Sequence, residues 1–188
     1  RDRTQAKEMA EEGVKELILV AQETTVYGTD IYGKKSLHIL LKELCKIKGI
    51  RWIRVLYCYP EEIYDELIQT MKEEKKICHY LDLPIQHASD RILKRMGRRT
   101  TQAELVEIVN KLRREIPDIV LRTTLISGFP GETQEDHEEL MGFVDEMEFD
   151  RLGVFTYSPE EDTPAATMPD QVAEEVKEDR RDEIMELQ

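Results

Sequence analysis

The chain has 188 residues, 40% of them hydrophobic, and a formal net charge of −13 at pH 7. This length suffices for one domain with a hydrophobic core, and the composition is that of a folded protein rather than a disordered one. No apolar run approaches the ~20 residues of a membrane-spanning helix. The acidic balance argues against general nucleic-acid binding, which requires a basic face, and fits a basic protein partner better.

Secondary-structure patterns alternate along the chain after a charged, helical N-terminal stretch that does not resemble a signal peptide. Strands are predicted at 16–22, 51–58, 80–86, 119–127 and 151–158. Helical patterns lie at about 36–48, 61–75, 89–96, 101–115 and 133–147, and again from about 171. Alternation of this kind predicts βα units and a parallel α/β sheet. Five strands do not close an eight-stranded barrel, so the sheet is expected to be open or a partial barrel.

The prolines of 158–170 indicate where the sheet-forming part ends. We therefore predict a core at 1–158 and a linker and helix at 159–188. The leading helix is expected to belong to a βα unit whose strand is absent, within a longer protein. The three widely spaced cysteines, Cys45, Cys58 and Cys78, predict neither a disulfide framework nor a metal site, and their free state favours a reducing, cytoplasmic compartment.

Polar residues follow all five predicted strands, at 22–25, 57–60, 86–89, 127–132 and 157–158. The carboxyl ends of parallel strands form the usual ligand edge, so this pattern favours a small-molecule site. The turn SGFPGE (127–132) permits two interpretations. Either it is the start of a helix capped by Thr133 and Asp136, or its glycines admit a flat or cationic ligand. The acidic residues that follow argue against a phosphate.

Several single residues have competing interpretations. His87 has no second ligand at metal spacing, so a structural histidine is favoured. Arg122 lies in an apolar strand and is expected either to pair with an acidic side chain or to hold a carboxylate in the opening. Cys58 is expected to be packed rather than reactive. The cations Lys94, Arg95, Arg98 and Arg99 are expected to be solvated at a helix C-terminus.

Three stretches, YLDLPIQHASDRILKRMGRRTT (80–101), LRTTLISGFPGET (121–133) and YSPEEDTPAA (157–166), resemble the radical S-adenosylmethionine methylthiotransferases. The resemblance spans nearly the whole chain. It implies an open, partial (βα) barrel of the radical SAM type with parallel strands, here lacking the first strand and followed by a missing TRAM domain. VAQETTVYGTDIYG and WIRVLYCYP are more similar to the branch that methylthiolates an aspartate of small-subunit ribosomal protein twelve than to the tRNA-modifying branch.

The resemblance also implies the site. S-adenosylmethionine would be bound by Gln22, Gln86, His87, Ser89, Arg122, Ser127, Gly128 and Glu132. The acidic run Glu160, Glu161 and Asp162 would attract the basic protein substrate, and it replaces a stretch that typically carries an arginine in the tRNA branch. No catalytic residue and no metal ligand is assigned.

The main departure from the family is the absence of its Cys-x3-Cys-x2-Cys loop. The parent enzyme would hold two 4Fe-4S clusters and use an electron donor, but their ligands are missing here, so this chain alone is expected to be inactive. Two alternatives remain open: a tRNA methylthiotransferase of the same family, and a non-catalytic α/β domain that only binds a partner.

Overall fold

The computed structural model describes all 188 residues, in two compact units. Unit 1 comprises Arg1–Leu83 and Asn110–Leu121, and unit 2 comprises Pro84–Val109 and Arg122–Gln188. Five strands form one sheet in sequence order: β1 (Glu16–Leu19), β2 (Trp52–Val55), β3 (Ile77–Asp82), β4 (Val120–Ser127) and β5 (Arg151–Thr156). The helices are α1 (Asp2–Glu11), α2 (Thr29–Tyr32), α3 (Leu37–Cys45), α4 (Asp65–Glu73), α5 (Asp90–Arg95), α6 (Gln102–Glu115), α7 (Gln134–Met147) and α8 (Glu174–Leu187). None of these helices combines the length and the apolar composition that a membrane span requires.

Unit 1 is built on the parallel strands β1, β2 and β3. β1 pairs with β2 without interruption, and the pairing of β2 with β3 shifts register between Ile53 and Val55. Helix α3 packs against α1 and α4. Leu37, Leu41 and Leu44 lie on one face of α3, at the spacing that places side chains on the core side of a helix, and all three are buried.

Unit 2 is built on the parallel pair β4–β5, which runs in register from Arg122–Arg151 to Ser127–Thr156. Helix α8 packs against both β5 and α7. Ile92, Phe129 and Tyr157 form a small apolar cluster, which includes Phe129 of the turn that follows β4. The rings of Phe129 and Tyr157 meet edge to face with centroids 5.4 Å apart, a favourable arrangement for two aromatic rings.

The open parallel α/β sheet confirms the fold class predicted from the alternation of strands and helices. The third strand was predicted at 80–86, which is wrong in position, because β3 spans Ile77–Asp82. Pro84 has no N–H to continue a strand ladder. Beyond it, Gln86 forms a single parallel bridge with Leu125, in which its N–H donates to the Thr124 carbonyl at 2.9 Å and its carbonyl accepts from Ile126 at 2.8 Å.

Residues 159–188 contain a short 3₁₀ helix at Pro164–Thr167 and then α8. The prediction described this stretch as a linker and a helix that lead towards a further domain. Within the chain, α8 contributes three buried side chains to unit 2: Lys177, Arg180 and Ile184. A further domain beyond α8 stays a prediction.

Candidate functional site

Gln86 stands at a strained corner of unit 2. Its φ is +77°, a value that residues other than glycine rarely adopt and that persists only where the surrounding structure enforces it. Its backbone is held on both sides by the bridge to β4. The side-chain oxygen Oε1 is buried and has no hydrogen-bond partner. A strained backbone beside an unsatisfied polar atom is typical of a binding site rather than of a packed core.

His87, the next residue, is fully buried and its tautomer is fixed by its contacts. Nδ1 accepts hydrogen bonds from the N–H groups of Ala88 (2.9 Å) and Ser89 (3.0 Å). The ring proton therefore lies on Nε2, which donates to Glu132 Oε2 at 2.8 Å. His87 is thus bonded within the protein, to a carboxylate and two N–H groups, and it connects the Gln86 corner to the turn after β4.

Glu132 is the centre of a buried network in unit 2. Its Oε1 accepts from the N–H of Gly128 at 3.1 Å and from Arg180 Nη1 at 2.9 Å. Burial acts to raise the pKa of Glu132, but the hydrogen bonds from His87, Arg180 and Gly128 outweigh burial and hold this pKa below its usual value. The carboxylate is therefore ionised and fully partnered.

Asp136 makes a second network in the first turn of α7. Its carboxylate accepts from Ser89 Oγ at 2.7 Å, from the N–H of Thr133 at 2.8 Å and from the Arg91 guanidinium. Thr133 accepts from the Asp136 N–H in return, which completes the capping box expected from the sequence. Burial opposes ionisation, but these hydrogen bonds lower the pKa of Asp136 well below its usual range.

The backbone of the turn 127–132 is already engaged by the protein. The N–H groups of Gly128, Gly131 and Glu132 donate to Glu132 Oε1, to the Asp170 carbonyl and to the Phe129 carbonyl, respectively. These donors are not available to an anion, which agrees with the sequence argument against a phosphate.

The two glycines of this turn make room for the protein's own side chains. Gly128 has φ +76°, and a Cβ there would lie 2.8 Å from Lys177 Cβ and closer still to Lys177 Cγ. Gly131 has φ +87°, and a Cβ there would lie 2.7 Å from Arg95 Nε. Both glycines are therefore required by the turn conformation and by a packed cation.

Cations that the sequence placed in solvent behave in two ways. Arg95 donates through Nε to the Pro130 carbonyl at 3.0 Å, and Arg98 donates to the Pro84 carbonyl at 2.8 Å. The expectation of solvated side chains is wrong for Arg95 and Arg98, because each guanidinium donates a hydrogen bond to a main-chain carbonyl of a loop in unit 2. Lys94 and Arg99 are exposed, as expected.

The two lowered carboxylate pKa values predict acid sensitivity of unit 2. Both groups titrate in the unfolded chain near their ordinary values of 4.5 and 3.8, and lower than that in the folded state. Their contribution to stability is therefore present above pH 5 and is lost as the pH falls through and below 4. Thermal unfolding at pH 7 and pH 3.5 measures this loss. We expect it to be smaller in Asp136→Asn, and an unchanged pH dependence in that variant would contradict the assignment.

In unit 1, Glu23 joins the ends of β1 and β2. It accepts from the N–H groups of Thr25 and Tyr59, each at 2.8 Å, and from the Thr25 hydroxyl. Burial raises the pKa of Glu23, and the nearby Glu62 and Glu61 add to this rise, against the hydrogen bonds that lower it. Gln22, the predicted ligand next to it, is exposed.

The remaining predicted residues lie on the surface or in the interior of unit 2. Arg122 is exposed on β4 rather than buried in an ion pair, so the first of its two sequence interpretations does not apply. Glu160, Glu161 and Asp162 are exposed in a turn, where the Glu160 carbonyl accepts from Thr163 Oγ1 at 2.7 Å. Ser127 is buried and donates to the Lys177 carbonyl at 3.0 Å.

Sequence reasoning missed the basic side chains that complete the networks. Arg91 was not assigned a role, and Lys177 and Arg180 lie in a helix expected to lead away from the core. The only signal was their spacing with Ile184, since positions 177, 180 and 184 share one helix face. That spacing is not informative by itself, because cations usually lie on the solvated face of a helix.

A family model described as the Radical SAM superfamily matches residues 3–144, which is most of the chain. The chain belongs to the radical SAM superfamily. Helix α8, with its buried Lys177 and Arg180, follows the part that the superfamily model matches.

The chain is also similar to curated relatives and, in fold, to solved structures. The chain is 68% identical over 184 residues to "Ribosomal protein uS12 methylthiotransferase RimO" of Lachnoclostridium phytofermentans, covering 98% of this chain and 42% of that protein. It thus spans about two fifths of the length of the curated relatives that it matches. Among solved structures, archaeal Elp3 of Methanocaldococcus infernus has a TM-score of 0.62 at 15% identity, covering 98% of this chain and 49% of that one. Streptococcus suis SuiB bound to S-adenosylmethionine has a TM-score of 0.56 at 18% identity, covering 87% and 34%. These likenesses confirm the partial-barrel fold.

The cysteines of this chain do not fit the iron–sulfur cluster of the superfamily. No group of three or more His, Cys, Asp or Glu side chains is arranged to hold a metal ion. Burial raises the pKa of the Cys45 thiol to about 11, and burial also raises those of Cys58 and Cys78, whereas cluster ligands must be thiolates. No step through a cluster is derived from these residues.

The residues of unit 2 do fit an uncharged polar group of S-adenosylmethionine. Gln86 Oε1 is an unsatisfied acceptor at a strained strand end, suited to a hydroxyl or amine donor. His87, Ser89, Ser127 and Glu132 are buried and bonded to one another or to neighbouring protein groups. Among the predicted residues of unit 2, Gln86 is thus the one with a buried polar atom that lacks a partner, and the four buried residues hold the backbone around it.

Proposed function

We propose that the protein of which this chain forms part is a radical SAM methylthiotransferase that modifies an aspartate of ribosomal protein uS12. The 68% identity to the Lachnoclostridium phytofermentans protein of that name carries the proposal. S-adenosylmethionine, when bound and reductively cleaved, would supply a carbon radical that removes hydrogen from the substrate. Two 4Fe-4S clusters, with ligands outside this chain, and an electron donor complete the proposed machinery. The cytoplasmic location stays a prediction.

The residues of this chain would bind and orient the cofactor. In unit 2, Gln86 would accept a hydrogen bond from it, and exposed Arg122 would lie towards its carboxylate. His87, Ser89, Ser127, Gly128 and Glu132 would hold the shape of the surrounding loop. In unit 1, Gln22 stays a proposed cofactor contact on the resemblance alone.

Charge supports a protein substrate over tRNA. The net charge is −13, and the exposed turn formed by Glu160, Glu161 and Asp162 has no basic partner in the chain's ion pairs. Such a surface repels nucleic-acid phosphates and attracts a basic polypeptide. We therefore propose these three residues as a contact for uS12.

The experiment that tests the proposed function compares Gln86→Ala with Gln69→Ala in the cluster-loaded full-length protein. Gln69 is an exposed glutamine of α4 that bonds only to Glu73, so it serves as the matched control. We expect Gln86→Ala to weaken S-adenosylmethionine binding about tenfold and to lower methylthiolation of uS12, since one buried hydrogen bond to the ligand is lost. Gln69→Ala should behave as wild type. Calorimetry measures binding, and mass spectrometry measures the product.

Three results would each contradict the proposal or part of it. Modification of tRNA by the wild-type protein, with uS12 untouched, would identify the tRNA branch of the family. Full activity in a folded Gln86→Ala variant would remove Gln86 from the cofactor site. If polar residues at the strand ends tolerate alanine without functional loss, the non-catalytic binding domain is supported instead.

A further inference from the structure

The side chain of Arg180 reaches from α8 to the turn after β4. A single nitrogen, Nη1, donates to Glu132 Oε1 at 2.9 Å and to the Glu132 carbonyl at 3.1 Å. Arg180 is 8% exposed and the Glu132 side chain is fully buried. A buried, charge-assisted contact to both the side chain and the main chain of one residue fixes that residue in position more firmly than a surface ion pair could.

Lys177, one turn earlier on α8, holds the opposite end of the same turn. Its ammonium donates to the Tyr157 carbonyl at 2.9 Å, and its aliphatic stem fills the space that a side chain at Gly128 would occupy. Its own carbonyl accepts from Ser127 Oγ at 3.0 Å. The first residues of the turn and its last residue are therefore both held by α8.

The Glu132 carboxylate passes this restraint to the Gln86 corner. One carboxylate oxygen faces Arg180 and the other accepts from His87 Nε2 at 2.8 Å. His87 is bonded directly to Gln86 in the chain, and its other ring nitrogen holds the two N–H groups that follow. A change in the orientation of the Glu132 carboxylate would therefore move the ring, and with it the strained residue that precedes the ring.

We propose that Arg180 is a positioning residue for cofactor binding, acting through Glu132 and His87 on Gln86. The proposal rests on the proposed function, because it takes Gln86 as a contact for S-adenosylmethionine. It extends that function to α8, which lies beyond the stretch matched by the superfamily model. Arg180 touches no reacting atom; its role is to keep Gln86 Oε1 in the place where the ligand meets it.

Arg180→Lys is the informative variant, with Arg180→Gln as a second. Lysine keeps the positive charge beside Glu132, so the buried carboxylate is not left unpaired, but a shorter ammonium cannot keep both contacts to Glu132 in the same geometry. Arg181→Gln is the matched control. Arg181 is the adjacent arginine of the same helix, partly exposed, and it pairs with its neighbour Asp182 at 3.0 Å.

Three measurements are made on the full-length protein, purified anaerobically: the dissociation constant of S-adenosylmethionine, the kcat and KM for this cofactor, and the ¹⁵N chemical shifts of His87. We expect Arg180→Lys to weaken binding about tenfold and to raise KM more than it lowers kcat. The Nε2 signal of His87 should shift in the variant, since its acceptor has moved. Arg181→Gln should leave all three unchanged.

A folded Arg180→Lys or Arg180→Gln variant that binds S-adenosylmethionine as tightly as wild type would overturn the inference. A variant with lower thermal stability but unchanged binding and unchanged His87 shifts would also overturn it, because Arg180 would then be purely structural. A wild-type protein that binds no S-adenosylmethionine would contradict the proposed function instead. In that case the chemical shift of His87 Nε2 alone still reports whether Arg180 controls the hydrogen bond between His87 and Glu132.

Discussion

Glu132→Gln is expected to lower the free energy of unfolding by about 3–5 kcal/mol, the range found when one partner of a buried ion pair is removed. The carboxylate accepts from His87 Nε2 on one oxygen and from Arg180 and the Gly128 N–H on the other. An amide of the same shape has one acceptor and one donor. Either orientation of the introduced amide would place its NH₂ group against existing donors, and the Arg180 charge would lose its counter-ion in a buried site.

Glu183→Gln is the matched control for this prediction. Glu183 accepts from His137 Nε2 at 2.6 Å, so it also pairs with a histidine, but its side chain is 54% exposed. Water can replace the lost contact there, and we expect a cost below about 1 kcal/mol. Urea unfolding followed by circular dichroism measures both variants. Equal midpoints for Glu132→Gln and Glu183→Gln would show that burial of the network does not determine its strength.

Gly128→Ala is expected to destabilise the protein by several kcal/mol, and by clearly more than Gly97→Ala. Both glycines have nearly the same positive φ, +76° and +75°. Alanine pays a conformational cost of roughly 1–2 kcal/mol at either position. At Gly97 nothing lies within 4 Å of the added Cβ, whereas at Gly128 the Cβ would overlap the Lys177 stem. The difference between the two variants therefore isolates the clash.

A third substitution completes that comparison. Gly142 lies inside α7 with nothing within 4 Å of an added Cβ, so Gly142→Ala should stabilise the helix by about 0.5–1 kcal/mol. Thermal unfolding of the three variants should rank them Gly142→Ala, Gly97→Ala, Gly128→Ala, from most to least stable. If Gly128→Ala and Gly97→Ala have equal thermal stability, the Lys177 side chain moves aside without loss of stability, and its close contact with Gly128 does not stabilise the turn.

The sequence predicted the fold well because the signals for it are local. Apolar strands and amphipathic helices alternate with a clear period, and Thr133 with Asp136 correctly predicts the start of α7. The third strand was misplaced because the buried run continues past Pro84, and hydrophobicity alone does not show that the ladder is broken there. The single bridge at Gln86 depends on β4, about forty residues later.

The candidate site was less predictable because it depends on pairings distant in sequence. The resemblance named His87 and Glu132 separately, but their hydrogen bond joins residues 45 positions apart. The partners of Gly128 and Gly131 are Lys177 and Arg95, and nothing local to the turn SGFPGE indicates a lysine stem or a guanidinium. Arg122 was expected either to form an ion pair or to point into the opening, because its strand is otherwise apolar. Alternate residues of a strand face opposite sides, and here Leu121 and Thr123 are buried while Arg122 is exposed.

The contacts that Lys177 and Arg180 of α8 make with the turn 127–132 have a consequence for synthesis of the protein. Glu132 and Arg180 are 48 residues apart, so Glu132 leaves the peptidyl-transferase centre long before its partner is made. At translation rates of about 5–20 residues per second, the interval is roughly 2–10 s. Strands β1 to β4 are complete before Glu132 is added, and β5 is synthesised during this interval. Until Arg180 has been added, the Glu132 carboxylate lacks its cationic partner. The turn can form its contacts with Arg180 only once α8 has been synthesised, which is after every strand of the sheet.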